Sequence, residues 1–198
     1  MAGRATPPQG CSTNLEAVSQ RVHPFAKTNR LLITPIPNDF DAGDLLPAFN
    51  SNPGFLSASG YRPQFTRADV EGYLMEELLR EDSLCLLIRL QHRARTIGTV
   101  AIQAPNPSDG LPWIGLLLIE ALSQRQDFGT EAAQAIEDPL ASEGWPSVRL
   151  FALRENLGVR GFWETIGYRV GSEAKDAHGR EAWLLEKELS ARAKVRGA

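Results

Sequence analysis

Seven consecutive residues, Trp113–Ile119, carry no polar side-chain atom except the Trp113 indole N–H. An apolar run of this length, followed by turn residues, predicts a strand buried on both faces at the centre of a sheet. It is far too short to cross a bilayer. The chain then turns through residues 120–128, and a helix follows Gly129. A central strand that feeds a tight turn and a helix belongs to a layered α/β arrangement. It also offers a helix N-terminus, whose first N–H groups lack intrahelical partners and can hold an anion. Arg125 adds a cation to that turn.

Strand and helix signals alternate on either side of this run. Arg30–Ile36 reads as a strand. Phe40–Phe49 reads as a helix that Gly43 and Pro47 would break. Thr66–Arg80 reads as a helix capped by Thr66, with Val70, Leu74 and Leu78 on its apolar face. Ser83–Leu90 and Thr96–Gln103 are β-rich and joined by a five-residue turn, which predicts a hairpin. Residues 104–112 form a loop. After the Gly129 helix, in which Pro139 would end or kink the run, Val148–Leu153 reads as a strand. Asn156–Ile166 reads as a helix burdened by Gly158 and Gly161, and 168–171 and 180–185 as short strands. The expected fold is a single α/β (α+β) domain with a mixed, mostly antiparallel sheet flanked by helices, spanning 28–189. Residues 1–27 read as a flexible leader whose removal should leave folding intact, and 190–198 as a basic tail.

The formal net charge of -3 gives no electrostatic ground for binding nucleic acid or a membrane. The two cysteines sit in unlike settings, Cys11 in the leader and Cys85 in an apolar strand, so neither a disulfide nor an oxidising compartment is expected. No secretory signal is visible in the leader, and a cytoplasmic location is expected. No His, Cys or carboxylate spacing suggests a metal site. The hydrolase nucleophile elbow and the P-loop are both missing.

A second segment sharpens the first. Asn156, Gly167 and Tyr168 follow the strand after the Gly129 helix, and with Gln124 and Gly129 they form a pair of motifs at a characteristic separation. Together the two segments resemble the GNAT superfamily of acetyltransferases, with an element order similar to its ribosomal-protein N-terminal acetyltransferase branch. The first family motif, Q/R-x-x-G-x-G/A, holds the pyrophosphate of acetyl-CoA; the second is N-x-x-A-x-x-x-Y-x-x-x-G-F/Y. The resemblance implies acetyl-CoA as co-substrate, held by Leu117, Leu118, Ile119, Gln124, Arg125, Gln126, Asp127, Phe128, Gly129, Thr130 and Asn156. One N–H of the 117–119 strand would polarise the thioester carbonyl. The acceptor would be a primary amine, on a small molecule or at a protein N-terminus, attacking directly. Phe49–Phe65, with Phe55, Tyr61 and Phe65, would lie on the acceptor side.

The chain departs from the family pattern in two places. Asp127 stands at the first glycine, where a carboxylate about 5 Å from a phosphate would cost ~3 kcal/mol at an effective dielectric near 20. It could instead cap its own helix. Trp163 stands at the tyrosine that returns a proton to the leaving thiolate. An indole cannot usefully do so, and a missing general acid costs a factor of roughly 100 to 10,000. Asn156 reads equally as a pantetheine ligand and as a helix N-cap. Glu120, at the end of the central strand, is a weak candidate base beside its reading as a solvated turn carboxylate. Three functions follow: an active N-acyltransferase, a decayed binding module of the same fold, or a structural subunit of a homodimer.

Overall fold

The computed structural model describes residues 24–156, 158–176 and 178–190. The leader up to His23, with Cys11, and the basic tail from Ala191 lie outside them. Among the described residues the sheet has eight strands: β1 Ala26–Lys27, β2 Leu31–Pro35, β3 Ser83–Leu90, β4 Thr96–Gln103, β5 Trp113–Ile119, β6 Ser147–Leu153, β7 Arg169–Lys175 and β8 Glu181–Glu188. Their order is β1-β2-β3-β4-β5-β6-β8-β7. Every neighbouring pair is antiparallel except β5 with β6. The fold is therefore the mixed, mostly antiparallel α/β arrangement expected, with β5 in the middle.

Helices cover both faces. On one side lie a 3-10 turn, Ala42–Leu45, and the helices α1 Leu46–Asn50, α2 Pro53–Ala58 and α3 Arg67–Leu78. They bury Phe49, Leu56, Val70 and Leu74 against Cys85, Leu87, Leu116 and Leu118. On the other side α4, Phe128–Ser142, and α5, Val159–Thr165, bury Ile136, Leu140 and Trp163 against Ile114, Val148 and Leu150. Burial of both faces is why β5 reads as a near-continuous apolar run and why β3 and β4 are β-rich and mostly apolar.

Local chemistry explains most boundaries. Thr66 caps α3 in a reciprocal box: the Asp69 N–H donates to Thr66 Oγ1, and the Thr66 N–H donates to Asp69 Oδ2 at 2.7 Å. The region 40–49 is broken, as its Gly and Pro suggest. Several expectations need correction. The buried stripe of α3 is Val70, Leu74 and Glu77, the i, i+4, i+7 positions of one helix face, and Leu78 is 47% exposed. Pro139 does not end α4: its missing N–H costs one bond near the C-terminus, and the helix runs on to Ser142. The helix expected from Asn156 starts at Val159, because Gly158 at its N-cap takes φ 94°, which glycine adopts freely. Gly158 is thus a turn residue and no burden on the helix.

Tyr168 is core, as its place in the motif suggests. Its hydroxyl donates to Glu137 Oε1 at 3.0 Å, and Lys187 Nζ donates to Glu137 Oε2 at 2.6 Å. Burial, and then the Glu137 charge, push the phenol well above its ordinary range. It remains a neutral donor and cannot serve as a proton source elsewhere.

The leader expected over 1–27 ends too late. Ala26 pairs with Ile33 and Lys27 with Leu32, and Phe25 and Ala26 pack on the core. A chain that begins at Thr28 should be less stable than one that begins at Pro24 by about 1–3 kcal/mol, the loss typical of deleting a partly buried aromatic and its neighbours. Parallel denaturant titrations of the two chains check this; equal midpoints would contradict it.

Candidate active site

The site begins with a mismatch between two strands. β5 and β6 pair in parallel only at Trp113–Arg149 and Ile114–Leu150. Beyond Ile114 they diverge, and β5 keeps its β4 ladder alone. The Glu120 N–H donates to Ile97 O at 2.8 Å. Strict alternation of an antiparallel ladder then turns the backbone of Leu118 towards β4 and the backbones of Leu117 and Ile119 into the gap. Gly98 records the close approach on the β4 side: a Cβ there would clash with Leu118 O. Of the three strand residues expected to bind pantetheine, Leu117 and Ile119 therefore offer backbone groups and Leu118 does not.

Both ends of the gap are fixed. At the closed end Arg149 donates to Asp109 Oδ2 at 2.8 Å and to Glu186 Oε2 at 2.9 and 3.0 Å. Burial lowers the Arg149 pKa, but hydrogen bonds to these carboxylates outweigh it and raise it overall. Asp109 also accepts from Trp113 Nε1 at 3.0 Å. At the open end Ile119 O accepts from Asn52 Nδ2 at 2.9 Å and Gln124 Nε2 at 2.8 Å. Gln124 also donates to Asn52 Oδ1 at 2.7 Å. The conspicuous glutamine of the first motif thus braces the mouth of the gap.

The turn into α4 is strained in a useful way. Arg125 and Asp127 both adopt left-handed backbone, φ 57° and 63°, which suits glycine and is tolerated by Asp. The Asp127 side chain makes no capping bond, so the capping alternative for this residue is ruled out. Glu131 N–H to Asp127 O, 2.9 Å, is the first bond at this end of the helix, which leaves the N–H groups of 128–130 ahead of it. Gly129 brings α4 against α5: a Cβ there would meet Phe162 at 3.3 Å. Arg125 is exposed and forms no ion pair among the described residues.

These elements enclose one cleft of about 1260 Å³. Leu117, Leu118, Ile119, Gln124, Arg125, Asp127, Gly129, Thr130, Asn156 and Trp163 all line it. Three expected residues turn away. Gln126 donates to Leu122 O and accepts from Arg30 Nη1 through its own carbonyl. The Phe128 ring is buried beneath the Arg30 guanidinium, 4.3 Å from its centroid. Glu120 is 4% exposed and held by Arg95 and Ser123, so it is neither a solvated turn residue nor a base within the cleft. Asn156 is no N-cap either, since Gly158 holds that place. Trp163 is 5% exposed and packs edge-on between Phe162 and Tyr168, with centroids at 5.0 and 4.8 Å. It walls the cleft.

The carboxylate that sequence reasoning missed is Glu77. It lies on the buried stripe of α3, is 8% exposed and lines the cleft opposite β5. Burial raises its pKa, with Arg80 opposing the rise. Its signal was a charged residue at i+7 from Val70 and i+3 from Leu74, on a face otherwise apolar. Phe55 and Tyr61 line the same cleft and Phe65 is buried beneath them, so the aromatics of 49–65 serve partly as lining and partly as cover. Among the described residues no group of three or more His, Cys, Asp and Glu could hold a metal ion, and no helix is long and apolar enough to cross a membrane.

Residues 30–169 match the family model of the acetyltransferase (GNAT) domain, and the chain belongs to that family. No curated protein matches the sequence. Its fold is shared with solved structures at low identity. An acetyltransferase from Thermus thermophilus is 20% identical, with TM-score 0.64 over 80% of this chain and 97% of that one. A probable GNAT-family acetyltransferase from Chromobacterium violaceum is 12% identical, with TM-score 0.72 over 82% and 85%. Spermidine N-acetyltransferase from Vibrio cholerae, solved with CoA and spermine, is 14% identical, with TM-score 0.60 over 82% and 97%.

Because Asp127 caps nothing and sits at positive φ, Asp127→Gly should not destabilise the protein. Relief of the left-handed backbone offsets the entropy of the added glycine, and stability should hold or rise by up to about 1 kcal/mol. Denaturant titration checks this; a loss of more than about 0.5 kcal/mol, the range expected if a helix cap were exchanged for glycine, would contradict the uncapped geometry.

Proposed function

We propose that the protein transfers an acetyl group from acetyl-CoA to a primary amine. The observation that carries this reading is the gap between β5 and β6, where backbone donors of Leu117 and Ile119 face a cleft that ends at the N-terminus of α4. Acetyl-CoA, when bound, supplies an acyl thioester. The N–H of Leu117 or Ile119 is suited to polarise its carbonyl, a preorganised donor in a site walled by Trp163 and Phe162. The first N–H groups of α4 and the Arg125 guanidinium suit phosphate oxygens. Asn156 is placed to bond the pantetheine arm.

The residues fit the group with one exception. The Asp127 carboxylate is exposed at the phosphate end and opposes it, so the pyrophosphate loop is degenerate in charge. The Trp163 indole N–H is too weak an acid to return a proton, and the buried Tyr168 is committed to Glu137, so neither serves the departing thiolate; water entering the open cleft can. The element order supports the ribosomal-protein N-terminal acetyltransferase branch, with a small-molecule amine or a protein N-terminus as acceptor in the cytoplasm.

Isothermal titration of CoA into the full chain tests this reading. Binding with a micromolar to millimolar dissociation constant is expected, tightening about tenfold for each ~1.4 kcal/mol recovered in Asp127→Gly. No heat and no thermal shift at millimolar CoA, in either protein, would overturn it.

A further inference from the structure

Glu77 is more than nine-tenths buried, yet its carboxylate is only half used. Arg80 Nη2 lies 3.3 Å from Oε1. Oε2 accepts no hydrogen bond among the described residues and faces Gly115, 3.9 Å from where a Cβ would stand. Gly115 sits where the β4–β5 ladder slips register and is the one residue of β5 without a side chain to fill the cleft. Two strand residues further on lies Leu117, whose N–H enters the gap. Two residues of strand span about 7 Å, so the carboxylate and the Leu117 N–H stand close together along the same stretch of β5.

Three rings stand on the same side. Phe55, Tyr61 and Tyr73 line the cleft, and their centroids lie 6.1 to 6.5 Å apart in tilted or edge-on contact. Such faces attract a cation and accept an apolar body. The remaining charges at this end are mostly positive. Arg80 serves both Glu76 and Glu77. Arg180 is tied to Asp176, and Lys175 to Glu181. The Asp176 carboxylate is consumed by Arg180 and by the N–H groups of His178 and Arg180. Among the described residues that line this end of the cleft, Glu77 is therefore the carboxylate with an oxygen to spare.

Resting on the acetyl-transfer reading above, we infer that the α3 side of the cleft is the acceptor site. It takes one primary ammonium on an apolar or aromatic body, and Glu77 anchors that ammonium and removes its proton. The Glu77 carboxylate accepts an N–H proton; the freed lone pair attacks the thioester carbon. The C–N bond forms, the C–S bond breaks, and its electron pair leaves on sulfur; the attacking nitrogen gives up its second proton to water, and water protonates the thiolate. A polyamine is a poor fit, because its second ammonium would face Arg80 and Arg180, and among the described residues no second carboxylate lining this end of the cleft has a free oxygen.

The groups facing Glu77 are Arg80, Glu76 and Tyr73 on its own helix or just beyond its end, Cys85 on β3, Tyr61 before the helix and His178 in the β7–β8 turn. Burial raises the Glu77 pKa, Arg80 and His178 lower it, and Glu76 raises it. In the folded chain the carboxyl thus keeps its proton to a higher pH than in the unfolded one. The charged form then costs stability, fully above the raised value and not at all below the ordinary carboxylate range. Glu77→Gln should raise the melting temperature at pH 7, with the gain fading on acidification. A carboxylate retained only to hold Arg80 would lower it.

The experiment uses the full chain with 2-phenylethylamine, a tripeptide with an apolar N-terminal residue, and spermidine. Calorimetry without CoA reads amine binding; thiol release with acetyl-CoA reads transfer. Expected are preference for a single-charge amine over spermidine and an acid limb in kcat/KM that disappears in Glu77→Gln. That variant should also weaken amine binding tenfold or more, cut kcat/KM by about 100-fold or more and leave CoA binding unchanged. Gly115→Val, which leaves Glu77 in place, should block the amine equally. Which of the two monoamines is preferred distinguishes a small-molecule acceptor from a peptide N-terminus. Spermidine preferred, or both variants binding and acetylating amines like the parent, would overturn the inference. Amine binding that depends on Glu77 in a chain that binds no CoA would uphold the site and overturn the acetyl-transfer reading.

Discussion

The structure turns on a strand that loses its neighbour halfway along. β5 shares two residue pairs with β6 and then goes on with one edge unpaired, in the middle of a sheet whose other central edges are closed. Buried backbone donors without partners are costly, so the arrangement persists only if something meets them. At the mouth the Ile119 carbonyl is met by Asn52 and Gln124. At the closed end Arg149 clamps the loop before β5 to β6 and β8 through Asp109 and Glu186. Between these fixed ends the donors of Leu117 and Ile119 face a cleft, where a ligand chain with carbonyl groups would satisfy them.

The elements around the gap inherit their roles from it. α4 follows the turn out of β5, and Gly129 and Thr130 of its first turn line the same cleft. The turn into α4 is left-handed at Arg125 and Asp127 and places the Asp127 carboxylate on the cleft. Across the strand, α3 contributes Glu77 from a face otherwise buried in apolar side chains. One face of the cleft therefore suits an anion and the other an ammonium, a separation that matches a transfer from an anionic carrier to an amine.

Much of this was legible in the sequence, and the exceptions have physical causes. β3, β4 and β5 lie where their apolar runs place them, because each is buried on both faces. The Thr66 cap was legible because its partner Asp69 is local. The start of α5 was not, because the positive φ of Gly158 follows from how the chain leaves β6. Asn156 and Trp163 were found through the spacing of the second motif, but their surroundings were not. Glu120 looked solvated because Arg95, which buries it, lies 25 residues away. Glu77 was hidden because choosing Leu78 for the apolar stripe of α3 made the helix look conventional; only the packing of Gly115 against it makes the carboxylate visible as part of a site.

The central claim is that the unpaired edge of β5 is where the carrier binds. Backbone amide resonances followed during a CoA titration test it most directly. The account predicts the largest changes at Leu117 and Ile119 and at Gly129 and Thr130, with β2 and β3 undisturbed. Saturable binding that leaves the β5 amides unmoved and shifts resonances elsewhere would contradict it.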